Sequence, residues 1–121
     1  MSLYLSDDCV VLKRKFSSLD SPRDVADLLE IDYKQLVYHL FKVPEPEKYT
    51  TFTIKKKSGG VREISAPVTA IKIIQQKLNQ VLQCVYEPKA STHGFVSGRS
   101  IVTNAYVHFE RNKYFVFNID L

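Results

Sequence analysis

The stretch KKKSGGVR, residues 55–62, places Lys55, Lys56, Lys57 and Arg62 around two glycines, with no acid until Glu63. Glycine accepts positive φ and carries no side chain, so the backbone at Gly59 and Gly60 lets an anion come close, while the flanking cations supply charge-assisted hydrogen bonds. A polyphosphate or a nucleic-acid backbone is the ligand that suits this chemistry. The Walker pattern GxxxxGK(S/T) is absent, so the stretch is not a P-loop. By itself it also reads as a solvated basic turn.

Three further places could do chemistry. Arg99 lies in SGRS, directly before a helix that Ser100 could cap. A helix N-terminus beside an arginine suits a phosphate, and a capped surface loop is the alternative. His93 and His108, with Cys84 the nearest soft ligand, fit no common zinc spacing and read as structural. Asp120 follows the apolar run YFVFNI. A carboxylate at the end of a buried strand is costly unless it is paired, hydrogen-bonded or bound to a metal, and functional groups collect at strand C-terminal ends in open α/β sheets.

The elements that must position these residues follow from pattern. Residues 1–20 carry an apolar patch, Val10 to Leu12, beside Lys13, Arg14 and Lys15. Ser21-Pro22 with Asp24 gives an N-cap, a proline at the first helical position and a capping-box partner for a short helix through Leu29. Asp32 caps another, whose Leu36, Val37, Leu40 and Phe41 share one face and which Pro44 and Pro46 end. Tyr49 to Ile54 and Val61 to Ser65 read as two strands of a β-hairpin reversed at Ser58-Gly59-Gly60 and closed by Pro67. Residues 68–86 predict the longest helix, with Ile71, Ile74, Leu78, Val81, Leu82 and Val85 facing a core. A loop through His93-Gly94-Phe95 leads to a helix from Ser100 to about Arg111, and Tyr114 to Asp120 reads as a last strand.

The chain has 121 residues, 45% of them hydrophobic, which suits one small domain with a core. No apolar run approaches the ~18 residues of a membrane span, and no signal peptide opens the chain. Cys9 and Cys84 stand far apart without CxxC companions, so neither a disulfide framework nor a zinc site is expected and a reducing, cytoplasmic home is. Net charge is +4, and its distribution matters more than its size. Residues 1–63 hold eleven Lys/Arg against ten Asp/Glu, but residues 64–119 hold six against two. An acid-poor half leading to Asp120 favours a polyanion or a phosphorylated ligand.

Taken in order, YTTFTIKKKSGGVREISAP, IKIIQQKLNQVL, HGFVSGRSIVTNAYVH and YFVFNIDL resemble a bacterial reverse transcriptase of the retron type, from about Tyr49 to Leu121. NAYVH, Asn104 to His108, is similar to the NAxxH element of retron enzymes. The resemblance implies an α/β (α+β) fold: N-terminal helices in residues 1–48, fingers in 49–112 with the hairpin and the long helix, and the first palm strand in 113–121. It implies that Lys56, Lys57 and Arg62 approach the dNTP triphosphate or the template, and that Arg99 and its neighbours cradle the RNA template. Asp120 matches the first catalytic aspartate, a Mg²⁺ ligand with the Leu121 backbone carbonyl beside it. Lys55 stands where members often have proline.

Nothing here resembles the later YxDD motif. Two-metal phosphoryl transfer needs several carboxylates around ions about 3.5–4 Å apart. The expectation is therefore an N-terminal fragment of an RNA-directed DNA polymerase, inactive by itself. A non-catalytic RNA-binding module built on the basic hairpin is the alternative, and self-association through an exposed palm strand is a third expectation.

Overall fold

The computed structural model describes residues 2–110, 115, 117, 119 and 120. The chain falls into two compact units, Met1–Tyr86 and Glu87–Leu121.

In the first unit, Asp8 caps α1 (Cys9–Ser17) by accepting from the Val11 N–H at 2.9 Å. Leu12 is the one residue of α1 that is fully buried. Composition marks this region only as an apolar patch; the helix signal is Asp8 followed by Leu12 and Phe16 at helical spacing. α2 (Pro22–Leu28) carries the expected capping box, in which Ser21 and Asp24 each serve the other's backbone N–H. The N–H of Asp20, the Ser21 side chain and the Ser21 N–H hold the Asp24 carboxyl below the usual carboxylate range.

α3 (Tyr33–Val37) is capped by Asp32 as expected, but from Tyr38 to Lys42 the helix widens to a π segment, closed by the Val43 N–H on the Tyr38 carbonyl at 3.0 Å. A π turn holds one more residue than an α turn. That extra residue rotates the expected face apart: Leu36 is buried, whereas Phe41 is 77% exposed. Lys48, at the end of α4 (Glu45–Lys48), donates to the Leu40 carbonyl at 2.8 Å and ion-pairs with Glu45, so the distorted turn is satisfied by a nearly buried ammonium.

β1 (Tyr49–Lys55) and β2 (Val61–Pro67) form an antiparallel pair in the register Tyr49↔Pro67 to Lys55↔Val61. Alternation along β1 suggests a half-buried strand, yet every residue of β1 is exposed, and β2 is partly covered only at Ile64, Ala66 and Pro67. The hairpin therefore stands out from its base.

α5 (Thr69–Val85) matches the expected helix within a residue at each end. Ile71, Ile74 and Val81 join Leu12, Ala26, Leu28, Leu29, Ile31 and Leu36 in the core. Leu78 and Leu82, expected to face inward, are exposed, and Lys77 occupies the centre of the buried face at 1% exposure. Its Nζ donates to the Glu30 carbonyl at 3.2 Å, where the chain reverses through a left-handed Glu30 (φ 51°). Ser6, through its hydroxyl and its N–H, holds the Glu30 carboxyl below its ordinary range. Lys77→Ala leaves a cavity and an unpartnered carbonyl, and is expected to cost about 3 kcal/mol in urea denaturation. Lys77→Met keeps the volume and should lose about half as much.

α1 packs on α5 and brings Cys9 and Cys84 together with a Cα–Cα separation of 5.2 Å, where they form a disulfide. This overturns the expectation of unpaired thiols. A separation of 75 residues in sequence carries no information about pairing, whereas helix packing sets the distance.

The second unit contains α6 (Ile101–Glu110), close to its expected bounds. Of the last strand expected over 114–120, the described residues Phe115, Phe117, Ile119 and Asp120 adopt no strand pairing and are exposed. Tyr114, Val116, Asn118 and Leu121 lie outside the described residues. Among the described residues no helix is long and apolar enough to cross a membrane.

Candidate nucleic-acid and nucleotide interface

The hairpin tip is built by its glycines. The Lys56 N–H donates to the Gly60 carbonyl at 3.0 Å and the Gly59 N–H to the Lys56 carbonyl at 3.1 Å, closing a tight loop between the strands. Gly59 and Gly60 have φ of 91° and 80°. A Cβ at either would meet open space, so backbone conformation rather than crowding requires glycine there. The register sets Ile54 opposite Arg62, which brings the arginine level with the loop. Ile54, Lys55, Lys56, Lys57, Ser58 and Arg62 line an open depression of about 350 Å³.

The structure thus gathers the four expected cations of the tip into one place. No acidic side chain lines the depression. Cations concentrated on an exposed loop raise the local concentration of a phosphate-bearing partner and bind it in proportion to the charges neutralised. Phe52, Ile54 and Val61 are exposed along the strands behind the tip, providing apolar surface beside the charge.

The other expected site residues belong to the second unit. One terminal nitrogen of Arg99 donates to the Lys89 carbonyl at 2.7 Å and the Thr92 carbonyl at 2.6 Å, which ties the loop 89–99 to itself. Ser100 and Thr103 form a reciprocal cap: Thr103 N–H donates to Ser100 Oγ at 3.3 Å, and Ser100 N–H to Thr103 Oγ1 at 2.7 Å. His93 Nδ1 lies 2.9 Å from Thr103 Oγ1. That hydroxyl also donates to the Ser100 carbonyl at 2.8 Å, so the histidine nitrogen is the donor in this contact. His93 therefore fastens the loop to the first turn of α6. These hydrogen bonds order SGRS as a capped loop, with Arg99 held by the Lys89 and Thr92 carbonyls.

Asn104 and His108, one turn apart on α6, are both exposed. Asp120 is exposed as well, and Leu121, whose carbonyl was the second expected metal ligand, lies outside the described residues. Among the described residues no group of three or more His, Cys, Asp or Glu side chains could hold a metal ion.

No family model matches the chain, and no solved structure does. Several curated proteins are similar to it. The retron Mx65 reverse transcriptase of Myxococcus xanthus is 36% identical over 90 residues, covering 73% of this chain and 21% of that protein. The retron Mx162 reverse transcriptase of the same organism is 35% identical over 97 residues, covering 76% of this chain and 19% of that protein. The retron Ec73 reverse transcriptase of Escherichia coli is 37% identical over 89 residues, covering 73% of this chain and 27% of that protein. The aligned stretch is thus about a fifth to a quarter of each relative's length, and over it the chain is a homologue of the retron-type reverse transcriptases.

Proposed function

We propose that these residues supply the fingers of an RNA-directed DNA polymerase of the retron type. Lys56, Lys57 and Arg62 bind and neutralise the triphosphate of a dNTP or the backbone of the RNA template. The Arg99 loop lies along the template, and Asp120, with the Leu121 carbonyl beside it, contributes to a Mg²⁺ site. The observation that carries this reading is the 35–37% identity to three retron reverse transcriptases over about three quarters of the chain.

The described residues do not make a Mg²⁺ site by themselves, because one carboxylate cannot hold a pair of divalent ions. In the proposed enzyme the other ligands come from outside these 121 residues. The chain's own task is then to bind and orient: a basic hairpin on an apolar stem presented to phosphate-bearing ligands.

Primer extension tests the proposal. The intact gene product carrying these residues is expected to incorporate dNTPs on an RNA template only with Mg²⁺. The 121 residues alone are expected to incorporate none. The cluster of four cations also favours a second reading, a non-catalytic RNA-binding module. An intact product that binds RNA but fails to extend a primer under any divalent ion replaces the polymerase with that module.

A further inference from the structure

We propose that Cys9 and Cys84 form a reversible redox staple that decides whether the N-terminal helix stays docked on α5. They are the only two cysteines in the chain. Cys9 is the first residue of α1 and is exposed, while Cys84 sits half-buried in the last turn of α5. A cystine with one exposed end is open to small thiols, in contrast to a bridge sealed inside a core.

Without the bridge, little holds α1 in place. Nine residues are too few for a stable isolated helix, so α1 exists only while docked. Its sole fully buried side chain is Leu12, assisted by partly buried Leu5, Phe16 and Leu19. Gln80 of α5 donates to the Leu3 carbonyl at 2.9 Å and accepts from the Leu5 N–H at 3.0 Å, and the Ser6 N–H donates to Glu30 at 2.9 Å. The bridge also closes a loop spanning 75 residues, nearly all of the first unit, so it restrains the unfolded chain strongly.

The chemistry is thiol–disulfide exchange with a low-molecular-weight thiol such as glutathione. The thiolate attacks the sulfur of the exposed residue Cys9, the S–S bond breaks, and the Cys84 sulfur leaves as a thiolate that takes up a proton. A second thiolate attacks the external sulfur of the mixed disulfide and releases Cys9. In sum, two thiols reduce the cystine to two cysteines and are themselves oxidised to one disulfide, a two-electron exchange. Oxidised glutathione drives the reverse.

The test equilibrates the 121-residue chain in buffers of graded reduced-to-oxidised glutathione ratio. Alkylation with mass detection reads the thiols, and hydrogen exchange reads residues 9–17. The expected result is a single reversible transition. Reduction should speed exchange across α1 at least tenfold more than across α5, and should lower the melting temperature by roughly 10 °C or more. Cys84→Ser is expected to behave as the reduced chain whatever the glutathione ratio. No bridge under oxidising conditions, or equal α1 protection in both redox states, overturns the proposal. The comparison of oxidised and reduced wild type uses no substitution, so the result stands even where Cys84→Ser fails to fold.

Discussion

Replacing Asp120 with asparagine in the intact gene product is expected to reduce nucleotide incorporation by about a thousand-fold, equivalent to about 4 kcal/mol of transition-state stabilisation. Asparagine keeps the shape of the side chain and removes its charge. Mg²⁺ is a hard ion that holds to carboxylate oxygens and demands near-octahedral geometry, so a neutral amide is a poor replacement. Asp120 is exposed and belongs to no regular element, so folding should be almost unchanged. Activity must therefore fall while the melting temperature and RNA affinity hold steady. Incorporation by the asparagine variant within a few-fold of wild type removes Asp120 from the metal site.

The triple substitution of Lys56, Lys57 and Arg62 by alanine has the second largest expected effect. Each phosphate contact adds about 0.7–0.9 to the slope of log affinity against log salt, so losing three lowers that slope by about 2. Affinity for RNA at low salt should drop by roughly 30- to 100-fold, and the drop should shrink as salt rises. Because the tip is exposed, stability is expected to change by less than about 0.5 kcal/mol. Filter binding across a salt series, with a thermal melt of the same variant, measures both. Unchanged affinity and slope move the nucleic-acid contact away from the hairpin.

Local chemistry was the most legible part of the sequence. Ser21 with Asp24, Asp32, and the Gly59-Gly60 reversal acted where they stand, because caps and tight turns are decided by a few adjacent residues. The bounds of α5 were legible for the same reason, since its apolar spacing runs unbroken for four turns. Features set by distant packing were not. The π segment depends on Lys48 reaching back to Leu40, and the bridge depends on α1 lying against α5. Nothing in the spacing of α5 marks Lys77 as buried; the reversal at Glu30 supplies the carbonyl that lets its ammonium sit inside.

The site was half legible. Charge and glycine placed the hairpin cations together, and the depression they line was implied by their spacing. The engagement of Arg99 by Lys89 and Thr92 was not, because nothing in SGRS says which carbonyls the loop will turn toward the guanidinium.

A hairpin exposed on both faces contributes little to the core that carries it. Its residues answer to whatever they touch and hardly at all to whether the protein folds. Mutation can therefore rewrite the tip, changing its charge, its reach or its taste for one polyanion over another, without spending the stability margin that limits change elsewhere.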